Sequence, residues 1–383
     1  MAELNLDAIR EKIDGIDSQI TDLFLERMDL CDDVAAFKKQ NNLPVLDKGR
    51  ERAKLSKVLE SVPADKVSYA MTLFNTLFEV SKAEQASKNS NTDCILSDID
   101  NALLTTDKTL PENPFVACQG LEGAFSQIAC DKLFKHANIS FFPNFRSVFK
   151  AVDEGFCKYG VLPFENSSAG TVNEVYDLIA EYDFHIVATH RLKVTQNLIA
   201  NKGAKLEDIT DIYSHQQAIE QCSKFLDGLK NVEIHAVENT AIAAERVRNS
   251  NSLTACAIAS NNACETYDLV ALAKSIEDNK ANYTRFACIT KGLEILPGAN
   301  RTSLSIVVNN EPGCLYRVLA LFNSLEINLI KLESRPIPNR DFEYMFYFDV
   351  DAPVYSESFR KLIKSLNSVC AEYRYLGSYS EIV

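Results

Sequence analysis

Apolar residues at Ile9, Ile13, Ile16, Ile20 and Leu23 recur in alternating steps of three and four, so residues from about Leu6 to Gln40 predict one helix buried along a single seam. At ~1.5 Å per residue that helix is roughly 50 Å long. A small helical segment cannot cover such a length by itself, and pairing with a second copy is expected. Carried forward, the seam runs through Arg27, Leu30, Val34 and Lys38, which puts two cations where apolar residues belong. Pro44 breaks the helix and Asp47 is placed to cap the next one. A later helical seam, Val67, Met71, Phe74 and Phe78, likewise fades into Ser81 and Gln85.

Residues 1–88 therefore read as an all-α domain. The polar stretch 89–113, with one short apolar patch, reads as a linker. From Phe115, short apolar runs such as "YGVLPF" and "HIVATH" alternate with helical stretches, the pattern of α/β layers with substantial parallel sheet over 114–291. The segment 302–381 then spells strand, helix, two strands, helix and strand, a ferredoxin-like α+β unit. The expectation is a multidomain chain.

Composition narrows the chemistry. A net charge of −13 over 383 residues argues against nucleic acid or an anionic membrane as partner, so an anionic ligand must be drawn by a local cluster of cations. The 11 cysteines form no C-x-x-C pair and read as reduced core thiols of a cytoplasmic protein, with neither a disulfide frame nor a metal site. No signal-like core or membrane-length apolar run is present.

An unpaired buried cation costs several kcal/mol, so the seam cations need a purpose. Arg27 and Lys38, with Ser81 and Gln85, the flanking Arg10, and Arg50 and Glu51 early in the second helix, read as a pocket for a small, multiply charged anion. No nucleophile accompanies them, so the chemistry needs only the binding of a shaped anion. In order and spacing this set resembles the all-helical chorismate mutases, which are intertwined dimers. The resemblance implies the pericyclic rearrangement of chorismate to prephenate. Such a step needs a compact dicarboxylate conformer and stabilised charge on the breaking ether. It further implies that Arg10 of the second chain, with Arg27 and Arg50, grips the carboxylates. Lys38 and Gln85 would face the ether oxygen, Glu51 would hold the hydroxyl, and Ser81 and Asp47 would be secondary.

In the α/β segment, "GLEGAFSQIA" sets Ser126 at a helix entrance, "PFENSSAGTVNEVYDL" offers hydroxyls before another helix, and "ENTAIAA" places Asn239 and Thr240 at a third. Helix starts of this kind suit carboxylates. "NYTRF" sets Thr284 and Arg285 beside an apolar strand. The glycine turn is G-x-x-G, not a dinucleotide fingerprint, and no cofactor is expected. Together these blocks resemble prephenate dehydratase, a two-lobed fold similar to periplasmic binding proteins. "YSHQQAIEQCSKFL" matches a further stretch, with Gln216 in place of the usual proline. The resemblance implies that Thr284 hydrogen-bonds the leaving hydroxyl, that Asn166 and Gln221 orient the substrate, and that Arg285 and Ser126 help carry its charge. Glu165 or water would supply the proton, and His215 reads as structural.

"NNEPGCLYRVLALF" and "LESRPIPN" resemble the amino-acid-binding ACT module. That likeness implies L-phenylalanine held between two modules of a homodimer or larger assembly by Gly313, Cys314 (for the usual alanine), Leu315, Glu333, Ser334, Arg335 and Pro336. The bound amino acid would inhibit the dehydratase. The domain order is that of the bifunctional chorismate mutase–prephenate dehydratases, whose substrates are chorismate and prephenate. Two other readings stay open at this point: an idle phenylalanine-sensing regulator, and an arogenate dehydratase.

Overall fold

The computed structural model describes residues 5–41, 48–89, 94–337, 340 and 343–382, leaving aside the side chains at 39, 48, 83–89, 94 and 368. The chain divides into two compact units, Met1–Ser97 with Leu304–Arg374, and Asp98–Ser303 with Tyr375–Val383.

In the first unit, α1 (Leu6–Gln40), α2 (Lys48–Leu59) and α3 (Val67–Asn89) carry the helical pattern. Asn5 starts α1: its Oδ1 accepts the N–H groups of Asp7 and Ala8 at 3.0 and 3.3 Å. The C-terminal half of α1 packs on α3, with Ala35 buried. The N-terminal half leaves its seam uncovered: Ile13, Ile16, Ile20 and Leu23 are 50%, 55%, 55% and 65% exposed. A stripe that apolar has no reason to face water, and it is open to a partner surface.

One expectation is corrected. Residues 89–113 contain a helix, α4 (Cys94–Thr105), which buries Leu96, Ile99 and Ala102. These sit three apart, a helical face that the polar residues between them obscure in sequence.

The second unit has two lobes. The first is a seven-stranded sheet built from β1 (Phe115–Gln119), β2 (Asn138–Phe142), β3 (Tyr159–Asn166), β4 (Gly170–Thr171), β5 (His185–Lys193), β11 (Tyr283–Thr290) and β16 (Glu381–Ile382). Its order is β16-β5-β11-β3-β1-β2, with β4 on β3. The helices α5 (Phe125–Leu133), α6 (Phe145–Asp153) and α7 (Asn173–Tyr182) belong to this lobe. Val116, Ala117 and Cys118 of β1 are all fully buried, which is why that strand reads as a continuous apolar run.

The second lobe is a five-stranded sheet of β6 (Asn197–Ala200), β7 (Asp211–Ser214), β8 (Glu233–Ala236), β9 (Ala255–Ala259) and β10 (Val270–Ala273), in the order β10-β6-β9-β7-β8. It carries α8 (Gln216–Gln221), α9 (Ser223–Asp227), α10 (Thr240–Ser250) and α11 (Asn261–Thr266). Both sheets are mixed. β11 runs antiparallel to β3 and β5, and β6 antiparallel to β9 and β10. The chain enters the second lobe after β5 and returns in β11, so those strands cannot follow simple parallel crossovers.

The remaining sheet holds β12 (Arg301–Val307), β13 (Asn328–Pro336), β14 (Tyr344–Asp351) and β15 (Glu372–Tyr379) in the order β13-β14-β12-β15, with α12 (Cys314–Ser324) and α13 (Glu357–Val369). This is the expected β-α-β-β-α-β order. Within the first unit α3 packs on α12 and α13.

Candidate active sites

The two crossings between the lobes of the second unit leave a cleft of ≈ 500 Å³. Thr284, Asn166, Ser126, Gln221, His215 and Gln196 line it. Thr284 and Asn166 face each other across the β11–β3 ladder, and both are buried. The Oδ1 of Asn166 accepts the backbone N–H groups of Ser168 and Ala169 at 3.0 and 2.9 Å. That fixes the amide's orientation, because a flipped amide would set its NH₂ against two donors. Nδ2 therefore donates, to Asn282 Oδ1 and to Thr284 Oγ1, each at 2.9 Å. With a lone pair of Thr284 Oγ1 engaged in this way, its own O–H is left to donate into the cleft.

Strand alternation sends the neighbouring side chains the other way. Glu165 and Arg285, both proposed from sequence for the reacting substrate, do not line the cleft; Arg285 Nη1 reaches Glu165 Oε2 at 2.8 Å on the opposite face. Among the described residues no arginine or lysine lines the cavity. Positive potential comes instead from helix starts. The entrances of α5 at Ser126, α7 at Thr171 and Val172, and α10 at Asn239 and Thr240 all open on it.

The glycine turn joins the lobes. Ser260 Oγ donates to the carbonyl of Gly123 at 3.0 Å, and a Cβ on Gly123 would stand 2.9 Å from the backbone of Ala263. Gly123 also adopts φ +88, open to glycine at little cost. His215 does serve structure, since its Nδ1 accepts the Gln217 N–H at 3.3 Å and so caps α8. The proton of the neutral ring then sits on Nε2. Burial pushes the His215 pKa down, which keeps that ring neutral near pH 7.

In the first unit, Arg27 Nη1 donates to the carbonyl of Leu77 at 3.2 Å and to Ser81 Oγ, and its guanidinium lies 6.0 Å from the Phe78 ring centre. Glu51 sits close by, 3.5 Å from the buried Lys82, which also pairs with Glu79 at 2.7 Å. Lys38 is half-buried and Arg50 exposed. Arg10 stands apart: it is exposed, pairs with Asp7 at 3.5 Å, and lies roughly 25 Å along α1 from Arg27. Asp47 and the side chain of Gln85 lie outside the described residues.

Gly313 begins α12 at φ +83, in the left-handed region that favours glycine. Gly313, Cys314 and Leu315 line a cavity of ≈ 380 Å³ with Tyr344 and Phe346. Glu333, Ser334, Arg335 and Pro336 lie on β13 and do not line that cavity.

Residues 9–86 match the family model for chorismate mutase type II, and residues 116–293 that for prephenate dehydratase. A bifunctional chorismate mutase/prephenate dehydratase of Stutzerimonas stutzeri is 32% identical over 382 residues, spanning 99% of this chain and 98% of the relative. The chain belongs to the bifunctional chorismate mutase/prephenate dehydratase family. An arogenate dehydratase/prephenate dehydratase of Arabidopsis thaliana is 36% identical over 276 residues, 69% of this chain and 72% of the relative. A crystal structure of prephenate dehydratase in complex with L-Phe from Arthrobacter aurescens superposes with a TM-score of 0.64 at 27% identity, covering 70% of this chain and 89% of the other.

As a bifunctional chorismate mutase/prephenate dehydratase, the protein is an isomerase and a lyase. It converts chorismate to prephenate and prephenate to phenylpyruvate in phenylalanine biosynthesis. Sequence reasoning passed over two buried polar residues that adjoin these groups, Lys82 beside Glu51 and Gln196 in the cleft lining. Lys82 was missed because the α3 seam steps from Phe78 to Ser81 to Gln85, and a Glu79–Lys82 pair at i,i+3 resembles ordinary surface charge. Gln196 was missed because it lies in the short crossing between β5 and β6, where no pattern marks it. It is 3% exposed, and its Oε1 has no hydrogen-bond partner among the described residues.

Proposed function

We propose that Thr284 and Asn166 carry the dehydration of prephenate. The observation that carries this reading is the direction of the hydrogen bond between them, Asn166 Nδ2 to Thr284 Oγ1, which leaves the Thr284 O–H to donate to a leaving hydroxyl in the cleft. The electrons of the breaking bond to the departing carboxylate enter the ring, and hydroxide leaves from the opposite carbon as the ring becomes aromatic. A hydroxyl pre-aimed at the departing oxygen stabilises the charge that develops there. Ser126 and Gln221, with the helix starts, hold the remaining carboxylate, and the cleft desolvates the one that is lost. Glu165 and Arg285 act from behind the strands. His215 contributes a neutral N–H, and water takes the place of a protein acid.

For the mutase step, Arg27, Lys38 and Arg50 hold the dicarboxylate with Glu51, Ser81, Gln85 and Asp47. Arg10 comes from a second copy, whose α1 covers the exposed seam from Ile9 to Leu23. The distance between Arg10 and Arg27 along one helix supports that exchange. L-phenylalanine binds the ACT module near Gly313, with Glu333–Pro336 supplied across a module pair, and lowers dehydratase turnover. The domain division is 1–88, 114–291 and 302–381. Free thiols at the described cysteines suit a cytoplasmic, reducing setting.

A second substrate is favoured by one specific likeness: the Arabidopsis relative is named for arogenate as well as prephenate. The test is to supply the purified protein with chorismate, and separately with prephenate or arogenate, with and without phenylalanine. Phenylpyruvate formed from chorismate and suppressed by phenylalanine is the expected result. Prephenate accumulating without phenylpyruvate would overturn the dehydratase assignment, and faster turnover of arogenate would favour the second reading.

A further inference from the structure

Residues 377–382 are built into the first lobe of the dehydratase unit. Gly377 has φ +135, and a Cβ there would lie 2.3 Å from the carbonyl oxygen of Ile186 in β5, so only glycine lets the two backbones touch. The N–H of Thr189 donates to the carbonyl of Ser380 at 3.2 Å. β16 then pairs with β5, Glu381 opposite Thr189 and Ile382 opposite His190.

This seat delivers one buried carboxylate. The Glu381 side chain is 7% exposed, and its Oε1 lies 2.6 Å from Arg301 Nη1 and 3.3 Å from Arg285 Nε. With the Arg285–Glu165 pair it completes a row of alternating charge, Glu165, Arg285, Glu381 and Arg301. The row stands directly behind the reacting pair, since Glu165 adjoins Asn166 on β3 and Arg285 adjoins Thr284 on β11. The ladder between those strands shifts register between Arg285 and Phe286. A bulge there loosens the regular pairing that would otherwise hold the strand ends.

We propose that Glu381 is a positioning residue for prephenate dehydration. It fixes Arg285, and through Arg285 and Glu165 it holds the two strand ends that aim Thr284 and Asn166. This rests on the assignment of Thr284 and Asn166 to the reacting substrate.

The test uses the full chain. Glu381→Gln keeps the side-chain volume but removes the charge that orders Arg285. The expected result is a fall of about ten- to a hundredfold in dehydratase kcat, the scale of a small misplacement of reacting groups, with KM near wild type. Mutase turnover in the same chain and the unfolding temperature should stay unchanged, and Glu381→Asp should recover part of the loss. Full kcat in Glu381→Gln overturns the proposal, as does a loss matched by the mutase or by unfolding. Should the glutamine variant fail to fold, Arg301→Gln removes one anchor of Glu381 and should lower kcat to a smaller extent; wild-type kcat there also overturns it. Thr284→Val separates the two claims. If it retains activity the site assignment fails, and the positioning role with it. If it is inactive while Glu381→Gln is fully active, only the positioning role fails.

Discussion

Asn166→Asp tests the direction of the hydrogen bond on which the dehydratase reading stands. The substitution is isosteric, and one carboxylate oxygen can still accept the N–H groups of Ser168 and Ala169. The other now faces Thr284 Oγ1 at 2.9 Å as an acceptor, so the threonine proton turns toward it and away from substrate. Breaking a hydrogen bond to a charged group costs about 1.5–3 kcal/mol. Losing a donor aimed at developing negative charge costs about 10²–10³ in rate. A carboxylate in the same cleft as the substrate's carboxylates adds like-charge repulsion, which weakens substrate binding. Dehydratase kcat should therefore fall about 10²–10³-fold, with a raised KM as well. The fold should survive, because Asn282, whose Nδ2 lacks a partner among the described residues, can rotate its amide to donate. Burial raises the pKa of the new carboxyl, so activity should partly return as pH falls and the group regains a proton to donate. The assay is phenylpyruvate formation from prephenate across pH, with mutase turnover of the same sample as internal control. A variant with near wild-type kcat at pH 7–8 would refute the reasoning.

Other outcomes follow from the same structure. Ile16→Asp sets a charge in the exposed α1 seam; it should give a monomer by sedimentation that has lost mutase turnover but retains dehydration of supplied prephenate, and an active dimer would contradict the pairing. Gly313→Ala puts a Cβ on a left-handed residue at φ +83 and should cost about 1–2 kcal/mol of local strain, weakening phenylalanine binding by calorimetry while basal turnover persists. Burial lowers the pKa of His185, His190 and His215 from 6.5, so each stays neutral in the folded dehydratase unit while the unfolded chain takes up protons. Stability from these three is complete above pH 6.5 and declines as pH falls toward their depressed values, which urea unfolding at stepped pH will detect; flat stability from pH 7 to 5 would contradict it.

Much of the fold was legible because its signals are periodic. The α1 seam and the β-α-β-β-α-β order of 302–381 repeat with helix and strand periods, and the described elements follow them. α4 escaped because its buried residues are spaced by polar ones. The face of each site residue was less legible. "ENSS" and "TRF" name Asn166, Glu165, Thr284 and Arg285 together, yet alternation along β3 and β11 sends one of each pair to the cleft and the other behind it. The chemistry of the cleft was legible in part. The helix entrances at Ser126 and at Asn239 and Thr240 were legible as carboxylate sites and do line the cavity, whereas the arginine read beside them is neutralised between carboxylates. Lys82 and Glu381 depend on tertiary contacts, with Glu51 and with Arg285, that no local pattern encodes.

The most direct measurement is to supply chorismate to Lys38→Ala and to Thr284→Ala, each alone and then mixed, and to follow prephenate and phenylpyruvate. Two separate sites on one chain predict that Lys38→Ala leaves chorismate untouched, that Thr284→Ala accumulates prephenate, and that the mixture makes phenylpyruvate. If either variant loses both activities, or the mixture forms no phenylpyruvate, the two-site assignment is wrong.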